Sequence, residues 1–401
     1  MVCLHLSSVA QNSTSSPYTR FGYGVIADRS FGAGRSMGGI GYGLRSPKQI
    51  NPLNPASYSC MDSLTFLFDV GATMQYSLLE DKSNSHSNIN GNLMYLSMQF
   101  PLTRTLAMSV GVLPYSHTGY NFTVLNRTDD ISHVDVFSGK GGLNEVYVGL
   151  SKDIWKKRLA LGVNAGYMFG NIEHRSNINY ASTSVDPLYT LESMKLNNFK
   201  YEFGAQYTQP LSKTERVTFG LTYSPKLTFN STTYNFLSSD QGLLTADTIY
   251  NQGYGIPDSY GFGVSYEKDH KMIVAADVSW QEWSKARFHG ENNTFNNRLK
   301  LAVGGEYIPN EFTRVYLNRV RYRAGLNYSN SYLQVNGFGY KEYGISLGAG
   351  FPMIDNRSFI NASFEYVRMI PEIETLINEQ YFRFTISFTF NEFWFFKRRL
   401  D

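Results

Sequence analysis

The chain has little charge, almost no cysteine and no long apolar run. Charged residues make up 17% of its 401 positions, against about 25% in typical soluble proteins. The formal net charge of +3 argues against a protein that holds nucleic acid through its phosphates. With only Cys3 and Cys60, a disulfide framework and a cysteine-rich metal site are excluded. No stretch approaches the roughly 20 apolar residues of a spanning helix.

Aromatic residues and glycine are abundant instead. Tyrosine occurs 29 times, phenylalanine 28 times and glycine 35 times, and this content argues against disorder. Many aromatic residues and glycines, with few charges and no apolar run of helix length, are typical of a transmembrane β-barrel, whose strands are apolar on one face only. Length alone also allows two or three soluble domains.

Alternation of apolar and polar residues dominates the chain after residue 63 and indicates strands. In the clearest example, Phe382, Phe384, Ile386 and Phe388 share one face. A soluble β-sandwich also alternates, so this pattern alone does not identify a barrel. The alternating segments are 64–76, 92–101, 105–123, 143–154, 157–169, 197–209, 215–229, 257–268, 271–284, 298–308, 319–329, 342–351, 357–368 and 380–391.

The connections between these fourteen segments favour a barrel. Those after even-numbered segments are mostly two to five residues long, with 309–318 as the exception, and those after odd-numbered segments are long. Outer-membrane barrels have long loops outside the cell and short turns in the periplasm. The sequence therefore predicts an all-β fold, a transmembrane antiparallel β-barrel of about 14 strands over 64–391, in the outer membrane of a Gram-negative bacterium.

The residues before the barrel divide into two parts. Residues 1–10 end in Ser8-Val9-Ala10, which looks like the cleavage site of a signal peptide remnant; a disordered tail is the alternative. Residues 11–63 hold eight glycines between Gly22 and Gly43, a composition suited to tight, irregular backbone. Because the lumen of a fourteen-stranded barrel is wider than its own side chains fill, we expect 11–63 to form a hatch inside it. A disordered periplasmic arm is the alternative.

The tryptophans and the C-terminus add two expectations. The four tryptophans fall near strand ends, where an amphipathic ring favours a membrane interface; they are Trp155, Trp280, Trp283 and Trp394. Residues 392–401 are aromatic and basic, and we expect a periplasmic tail that a partner protein can contact.

Several stretches resemble the FadL/OmpP1 family of outer-membrane long-chain fatty acid transport proteins. The triplet Asn54-Pro55-Ala56, in its glycine-rich surroundings, resembles the hatch motif of that family. The closing sequence FNEFWFFKRRLD is similar to the ends of FadL-like proteins of the Bacteroidetes. Four further stretches resemble the family in the same order, at 138–154, 256–267, 276–285 and 301–329.

The resemblance implies passive uptake of hydrophobic compounds such as long-chain fatty acids. In the family, a ligand binds outside the cell, enters an apolar lumen pocket and leaves sideways into outer-membrane lipid after the hatch moves. The matching kink for lateral opening would be Pro114 and Tyr115, because proline cannot donate to the strand ladder. An ordinary bulge is the alternative.

Two further groups of residues are candidate ligand sites. Arginine binds carboxylates bidentately, so the inward-facing cations Lys300, Arg321 and Arg323 are candidates to anchor a fatty acid carboxylate. The alternative is a charge ladder that holds the lumen and the hatch together. The candidates for an external surface groove, as against a structured loop cap, are Phe236, Leu237, Leu243 and Leu244 in the long loop 230–256.

We do not expect an enzyme, a metal site or a cofactor. Gly34–Gly38 matches G-x-S-x-G but lacks the strand-to-helix context that the motif needs, and the histidines show no zinc spacing. The rival function is a FadL-like structural subunit of an outer-membrane protein assembly or secretion complex. A continuous apolar path from 230–256 through the lumen to Pro114 would favour transport. A polar, blocked lumen with an exposed patch at 394–396 would favour protein partners.

Overall fold

The computed structural model describes residues 14–82, 84–126, 132–155, 158–181, 185–353 and 356–393. The chain begins with a segment of little regular structure, which contains the 3-10 helices Pro17–Arg20 and Pro55–Cys60, strand β1 (Val25–Ile26) and helix α1 (Gly32–Ser36). We call residues 14–63 the N-terminal segment. None of the helices in the described part of the chain is long and apolar enough to span a bilayer.

Fourteen long strands form a closed antiparallel barrel, as predicted. The first seven are β2 (Thr65–Glu80), β3 (Ser85–Pro101), β4 (Leu106–Asn126), β5 (His133–Trp155), β6 (Leu159–Tyr180), β7 (Leu188–Pro210) and β8 (Glu215–Ser224). Four shorter strands follow, β9 (Leu227–Thr228), β10 (Asn230–Ser239), β11 (Gly242–Tyr250) and β12 (Gly255–Ile256). The last seven wall strands are β13 (Ser259–Lys268), β14 (Met272–Gln281), β15 (Arg298–Tyr307), β16 (Arg321–Asn330), β17 (Tyr340–Pro352), β18 (Phe359–Pro371) and β19 (Asn378–Phe393).

Each wall strand pairs with the next one along the chain, and the circle closes where β19 pairs with β2. Strand β8 pairs with β13, and this pairing joins the first seven wall strands to the last seven. We call the end of the barrel with the short connections the turn end and the opposite end the loop end. Because β19 pairs with β2, neither the first nor the last wall strand is left with an unpaired edge. Lipid requires such closure, since it offers no hydrogen bonds to a free strand edge.

The two faces of the wall have opposite chemistry. On β19, Phe384 and Ile386 are exposed on the outside, and Thr385 and Ser387, which alternate with them, are buried inside. On β5, outward Val146 and Val148 alternate with buried inward residues in the same way. Apolar side chains outside and polar ones inside are the pattern of a barrel that faces lipid.

Several strands are longer than the alternation predicts. Strands β5, β6 and β7 include 133–142, 170–180 and 188–196 at the loop end, which we predicted as loops. The predicted loop 230–256 contains the hairpin β10–β11, and the predicted strand 215–229 is divided into β8 and β9. In these extensions apolar residues also face inward, such as Ile172, Met194 and Leu196 of the buried cluster at the loop end. The alternation of apolar outside and polar inside is therefore lost, although the backbone ladder continues.

The tryptophan prediction is wrong for one residue. Trp155 and Trp280 are exposed on the outside of the wall, but Trp283 is completely buried among other aromatic rings. Its 3-10 helix, Trp283–Lys285, turns the side chain inward at the end of β14. Trp394 and the predicted signal peptide remnant lie outside the described residues. Of the predicted tail, 392–401, only 392–393 are described, and they belong to β19.

Candidate functional site: the N-terminal segment and the wall seam

The N-terminal segment lies between the walls of the barrel and is held there by ion pairs to many strands. Its cations bind carboxylates on β5, β7 and β18, on the turn after β15, and one of its carboxylates binds a lysine on β15. The pairs are Arg29 with Glu145 and Glu202, Arg35 with Glu365, Arg45 with Asp153, Lys48 with Glu311 and Asp28 with Lys300. Because the partners surround the segment, it cannot leave the lumen without breaking buried pairs on several sides.

The centre of this network is a group of two cations and two carboxylates. Arg29 and Lys200 both contact Glu145 and Glu202, with Arg29 Nη2 3.1 Å and Lys200 Nζ 3.4 Å from Glu145 Oε2. All four side chains are buried or nearly so. Each buried charge is therefore neutralised within the protein, as a low-dielectric site requires.

Backbone donors of the segment bind a further wall carboxylate. The amides of Gly41 and Tyr42 donate to Asp277 Oδ2 at 2.6 and 2.8 Å. Close by, Asp28 contacts Lys300. Burial raises the pKa of the Asp28 carboxyl, but Lys300 and Arg35 outweigh burial and hold that pKa below its usual range. The segment is therefore held by charge at neutral pH.

The Asn54-Pro55-Ala56 triplet has a structural task in the segment. The Asn54 side chain accepts from the amide of Ala56 at 3.1 Å and so caps the 3-10 helix Pro55–Cys60. Its amide nitrogen also donates to the carbonyls of Tyr42 at 2.9 Å and Ala205 at 3.3 Å. One side chain therefore joins two parts of the segment to β7.

Inward-facing glycines on the wall let the segment backbone approach closely. A Cβ at Gly220 of β8 would lie 1.8 Å from the carbonyl oxygen of Tyr42, and one at Gly204 of β7 would lie 2.2 Å from Asn54 Oδ1. On the far side, a Cβ at Gly325 of β16 would lie 2.1 Å from the carbonyl carbon of Met37. The wall is shaped for this segment, since any larger residue at these positions collides with it.

An aromatic cluster fills the lumen at the loop end. Tyr23 of the N-terminal segment is completely buried at its centre, and its hydroxyl donates to the carbonyl of Arg287 at 2.8 Å. The rings that surround Tyr23 belong to Phe229, Tyr254, Trp283, Phe288 and Phe295. The apolar volume that an acyl chain would need is therefore occupied by side chains.

A larger cavity of about 560 Å³ lies beside the segment at the turn end, with Arg45, Lys48 and Arg321 in its lining. The cavity at the centre of the ion-pair network is small and charged. Its volume is about 140 Å³, which is below the range of roughly 300–1,000 Å³ typical of small-molecule sites. Five cationic and five acidic side chains line it, namely Arg29, Lys200, Arg298, Lys300 and Arg383 and Asp28, Glu202, Asp277, Glu342 and Glu365. This lining suits water and ion pairs, and it is unsuited to a hydrocarbon chain.

The wall itself is incomplete between β3 and β4. These strands pair only from Leu96 and Val112 to the turn end, although both continue to the loop end. The separated parts, 85–95 of β3 and 113–126 of β4, are called here the wall seam. Next to it lies the predicted kink, where the β4–β5 register shifts between Pro114 and Ser116. Outside the seam is an open recess of about 870 Å³ whose lining includes Pro114.

The N-terminal segment closes the seam from inside. On the β4 side, β1 pairs with Ser116 and His117, and the amide of Gly119 donates to Thr19 Oγ1 at 3.1 Å. On the β3 side, Asn88 Nδ2 donates to Ser15 Oγ at 2.7 Å. The seam strands therefore contact each other through the segment, and any opening of the wall here requires residues 15–27 to move.

The predicted carboxylate anchors are occupied by carboxylates of the chain itself. Arg321 and Arg323 both contact Glu306, at 3.2 and 2.6 Å, and Lys300 contacts Asp28 at 3.1 Å. The structure thus brings the two arginines together and places Lys300 in a different group. Their role as anchors for a ligand stays a prediction.

The predicted surface groove is divided. Phe236 and Leu237 on β10 line an open cavity of about 590 Å³ at the loop end, together with Thr245 and Asp247 of β11. Leu243 and Leu244, on β11, are exposed and lie outside its lining. Sequence reasoning missed Arg20, whose guanidinium carbon lies 3.7 Å from the centre of the Phe137 ring in this cavity.

Sequence reasoning also missed the charges of the N-terminal segment. We predicted that the wall cations Lys300, Arg321 and Arg323 face the lumen, but we identified no charged residue of the segment as a partner of the wall. The available signal was the presence of five cations, Arg20, Arg29, Arg35, Arg45 and Lys48, in a segment expected inside a lumen with acidic positions. No group of three or more potential metal ligands occurs in the part of the chain that the structure describes.

Comparison with known proteins gives a family and a fold. A model of the BamG family matches residues 1–401. The CymD monoaromatic hydrocarbon channel is 14% identical, with a TM-score of 0.60 over 91% of this chain and 98% of its own. A Pseudomonas aeruginosa FadL homologue is 15% identical, with a TM-score of 0.62 over 92% and 99%. The Ralstonia pickettii toluene transporter TbuX is 14% identical, with a TM-score of 0.61 over 90% and 98%.

Identities this low establish the architecture and no more. The predicted FadL-like barrel is confirmed, and the likeness to Bacteroidetes members stays a prediction. No curated protein matches the chain in sequence. Since the family model covers the whole chain, this protein belongs to the BamG family and shares the barrel fold of FadL-like channels.

Proposed function

We propose that this protein is a structural subunit of an outer-membrane protein complex, with residues 11–63 acting as a fixed hatch. The observation that carries the proposal is the lumen, which is filled by the N-terminal segment, is polar and is bound by ion pairs to several strands. A blocked, polar lumen is one of the two features that we expected of a barrel that binds proteins; the other, an exposed patch at 394–396, lies outside the described residues. The loop end then faces outward from the cell and the turn end faces the periplasm.

Energetics support a hatch that stays in place. Breaking a buried ion pair by removing one partner typically costs about 3–5 kcal/mol, and the segment forms such contacts on β5, β7 and β18. Release would also expose the Tyr23 cluster and open the seam. Membership in a separate family, with low identity to the named transporters, is consistent with a different task on the same barrel.

The test is native mass spectrometry of the protein extracted from outer membranes in mild detergent. We expect a barrel without acyl-chain adducts that carries protein partners in fixed stoichiometry. A barrel that carries fatty acid or hydrocarbon adducts and no protein would contradict the proposal. As a control, the same extraction is made after the partners have been dissociated by salt, which must leave the mass of the barrel unchanged.

Passive uptake of hydrophobic compounds, such as long-chain fatty acids, is the second candidate. The wall seam favours it, since two wall strands already separate beside Pro114 and an open recess lies outside them. In this function the segment moves, and the ligand passes sideways through the seam into lipid. Pro114 and Tyr115 then form the opening, with Arg321, Arg323 and Lys300 as candidate carboxylate anchors.

A disulfide across the closed seam separates the two candidates. Ile26 and Ser116 are opposite each other in the β1–β4 pairing, so the double variant Ile26→Cys/Ser116→Cys fixes the segment against the wall when oxidised. Loss of labelled oleate uptake on oxidation, with recovery on reduction, would support transport. Uptake that is absent in wild type, or unchanged by the lock, would contradict it. The variant Ile26→Cys alone is the matched control.

A further inference from the structure

The hairpin β10–β11 extends the wall beyond the barrel at the loop end. Strand β10 pairs with residues 188–197 of β7, and β11 pairs with β10. All nine residues of β11 are exposed. Among the described residues no strand pairs with its second edge, since the next wall strand, β13, is paired on both sides by β8 and β14. The sheet therefore ends at an open edge.

The hydrogen bonds show which backbone groups this edge presents. The amide of Asn251 donates to the carbonyl of Ser231 at 2.8 Å, so these residues form a hydrogen-bonded pair. Hydrogen-bonded and non-hydrogen-bonded pairs alternate along an antiparallel ladder. The backbone groups of Ile249 and Asp247 therefore bond to β10. The amides and carbonyls of Ala246 and Thr248 then point away from β10, toward the open edge.

Most of the edge lacks the features that usually prevent pairing with other chains. The one bulge of the hairpin lies near its turn, where the β10–β11 register shifts between Leu237 and Ser238, opposite 243–245. Natural edge strands are protected by lysine, proline, bulges or short length. Strand β11 has nine residues, one charge, at Asp247, and no lysine or proline. Leu243 and Tyr250 are 64% and 71% exposed. An exposed apolar strand of this length is a site for strand addition by another polypeptide.

We infer that β11 is the acceptor edge for an extended segment of a second protein, and this inference rests on the proposed role as a complex subunit. The partner segment runs antiparallel to β11. Its residues alternate, with polar side chains toward Thr245 and Asp247, which line the loop-end cavity, and apolar side chains toward Ala246 and Tyr250 on the other face.

A second copy of this chain is a poor occupant of the edge. Two copies in one membrane are related by an axis along the membrane normal, and rotation about that axis preserves the upward or downward sense of each strand. Two β11 strands would therefore run parallel, in a ladder that is less stable per residue. A different protein has no such restriction on its direction.

The variant Thr248→Pro tests the inference. Proline at this position removes an amide of the open edge but none of the bonds to β10. In complexes isolated from outer membranes, we expect the partner bound by wild type to fall by about tenfold or more, the effect of roughly one lost hydrogen bond with displaced neighbours. Thr248→Ala, which keeps the amide, is the matched control and should retain the partner.

Hydrogen exchange of the β11 peptide supplies a second measurement. Exchange should be slow in the isolated wild-type complex and fast after dissociation by salt. Protected β10 amides in Thr248→Pro show that the hairpin still folds. Full partner retention by Thr248→Pro, or equally fast β11 exchange in both states, would overturn the inference and leave the subunit proposal intact. A wild-type barrel without any protein partner would refute both, and a Thr248→Cys homodimer would identify a second copy instead.

Discussion

The lumen and the β10–β11 hairpin differ in whether their charged and backbone groups are paired within the chain. Inside the barrel, Arg29 and Lys200 are matched to Glu145 and Glu202, and inward glycines accept the segment backbone at close range. On the hairpin, every residue of β11 is exposed and one edge is unpaired within the described residues. The difference indicates that the lumen is complete within this chain, whereas the outer edge is suited to a partner.

The largest effect should come from removing a cation in the lumen. Arg29→Ala leaves Lys200 alone with two buried carboxylates, and we expect the segment to be destabilised by about 3 kcal/mol, the lower end for a broken buried pair, because Lys200 remains. Hydrogen exchange of residues 14–63 should accelerate by about two orders of magnitude. Lys82→Ala is the matched control, since Lys82 and Glu374 form an exposed pair of little energetic value. Equal rates of hydrogen exchange in both variants would contradict the idea that ion pairs keep the segment in the lumen.

A somewhat smaller effect is expected from filling the space between wall and segment. Gly220→Ala places a methyl group against the carbonyl of Tyr42, and overpacking of this kind costs about 2 kcal/mol. The measurement is proteolysis of the segment in folded, detergent-solubilised barrels. Gly91→Ala is the control, because nothing lies within 4 Å of a Cβ there. Resistance of the Gly220→Ala segment to protease would show that the close approach is unimportant.

Loss of the helix cap should have a moderate effect. Asn54→Ala removes the bond to the Ala56 amide and the bonds to the carbonyls of Tyr42 and Ala205, which costs about 1–2 kcal/mol. Exchange should accelerate in the peptide that contains Pro55–Cys60, while the wall strands stay protected. Asn54→Asp, which keeps the capping oxygen, should restore part of the protection. A uniform acceleration over the whole barrel would mean that the triplet does more than hold the segment.

The smallest effect on stability is expected on the hairpin. Leu243 is 64% exposed, and surface substitutions usually change stability by less than about 0.5 kcal/mol. Leu243→Ser should therefore leave heat-modifiable migration on gels unchanged and weaken only partner binding. Reduced stability of the isolated barrel would show that the hairpin packs against the rest of the chain, and the contrast with the lumen would fail.

The fold was more predictable than the site. Alternation placed all fourteen wall strands, because a strand with one face in lipid and one in a polar lumen must alternate. The ends of the strands were mistaken where apolar residues face inward as well, as at Ile172 in 170–180 and at Met194 and Leu196 in 188–196. The inward cations Arg321 and Arg323 were found by the same alternation, yet their contacts with Glu306 depend on pairing between β15 and β16.

The N-terminal segment illustrates what local pattern does not contain. Its glycines predicted irregular backbone, but Arg29 meets Glu145 and Glu202 across 116 and 173 residues of sequence separation. The buried position of Trp283 depends likewise on Tyr23, with which its ring packs. No periodicity relates such positions, so their contacts appear only when the barrel has closed around the segment.

The sequence by itself determined that this protein is a barrel, how many wall strands it has and which face of each wall strand is apolar, because these follow from the contact of each residue with lipid or lumen. The tertiary structure decided that the lumen is filled, that the seam between β3 and β4 is closed by residues 15–27, and that one edge of β11 is open. These properties depend on distances between residues far apart in the chain, and strand pairing and charge matching set those distances after the chain has folded.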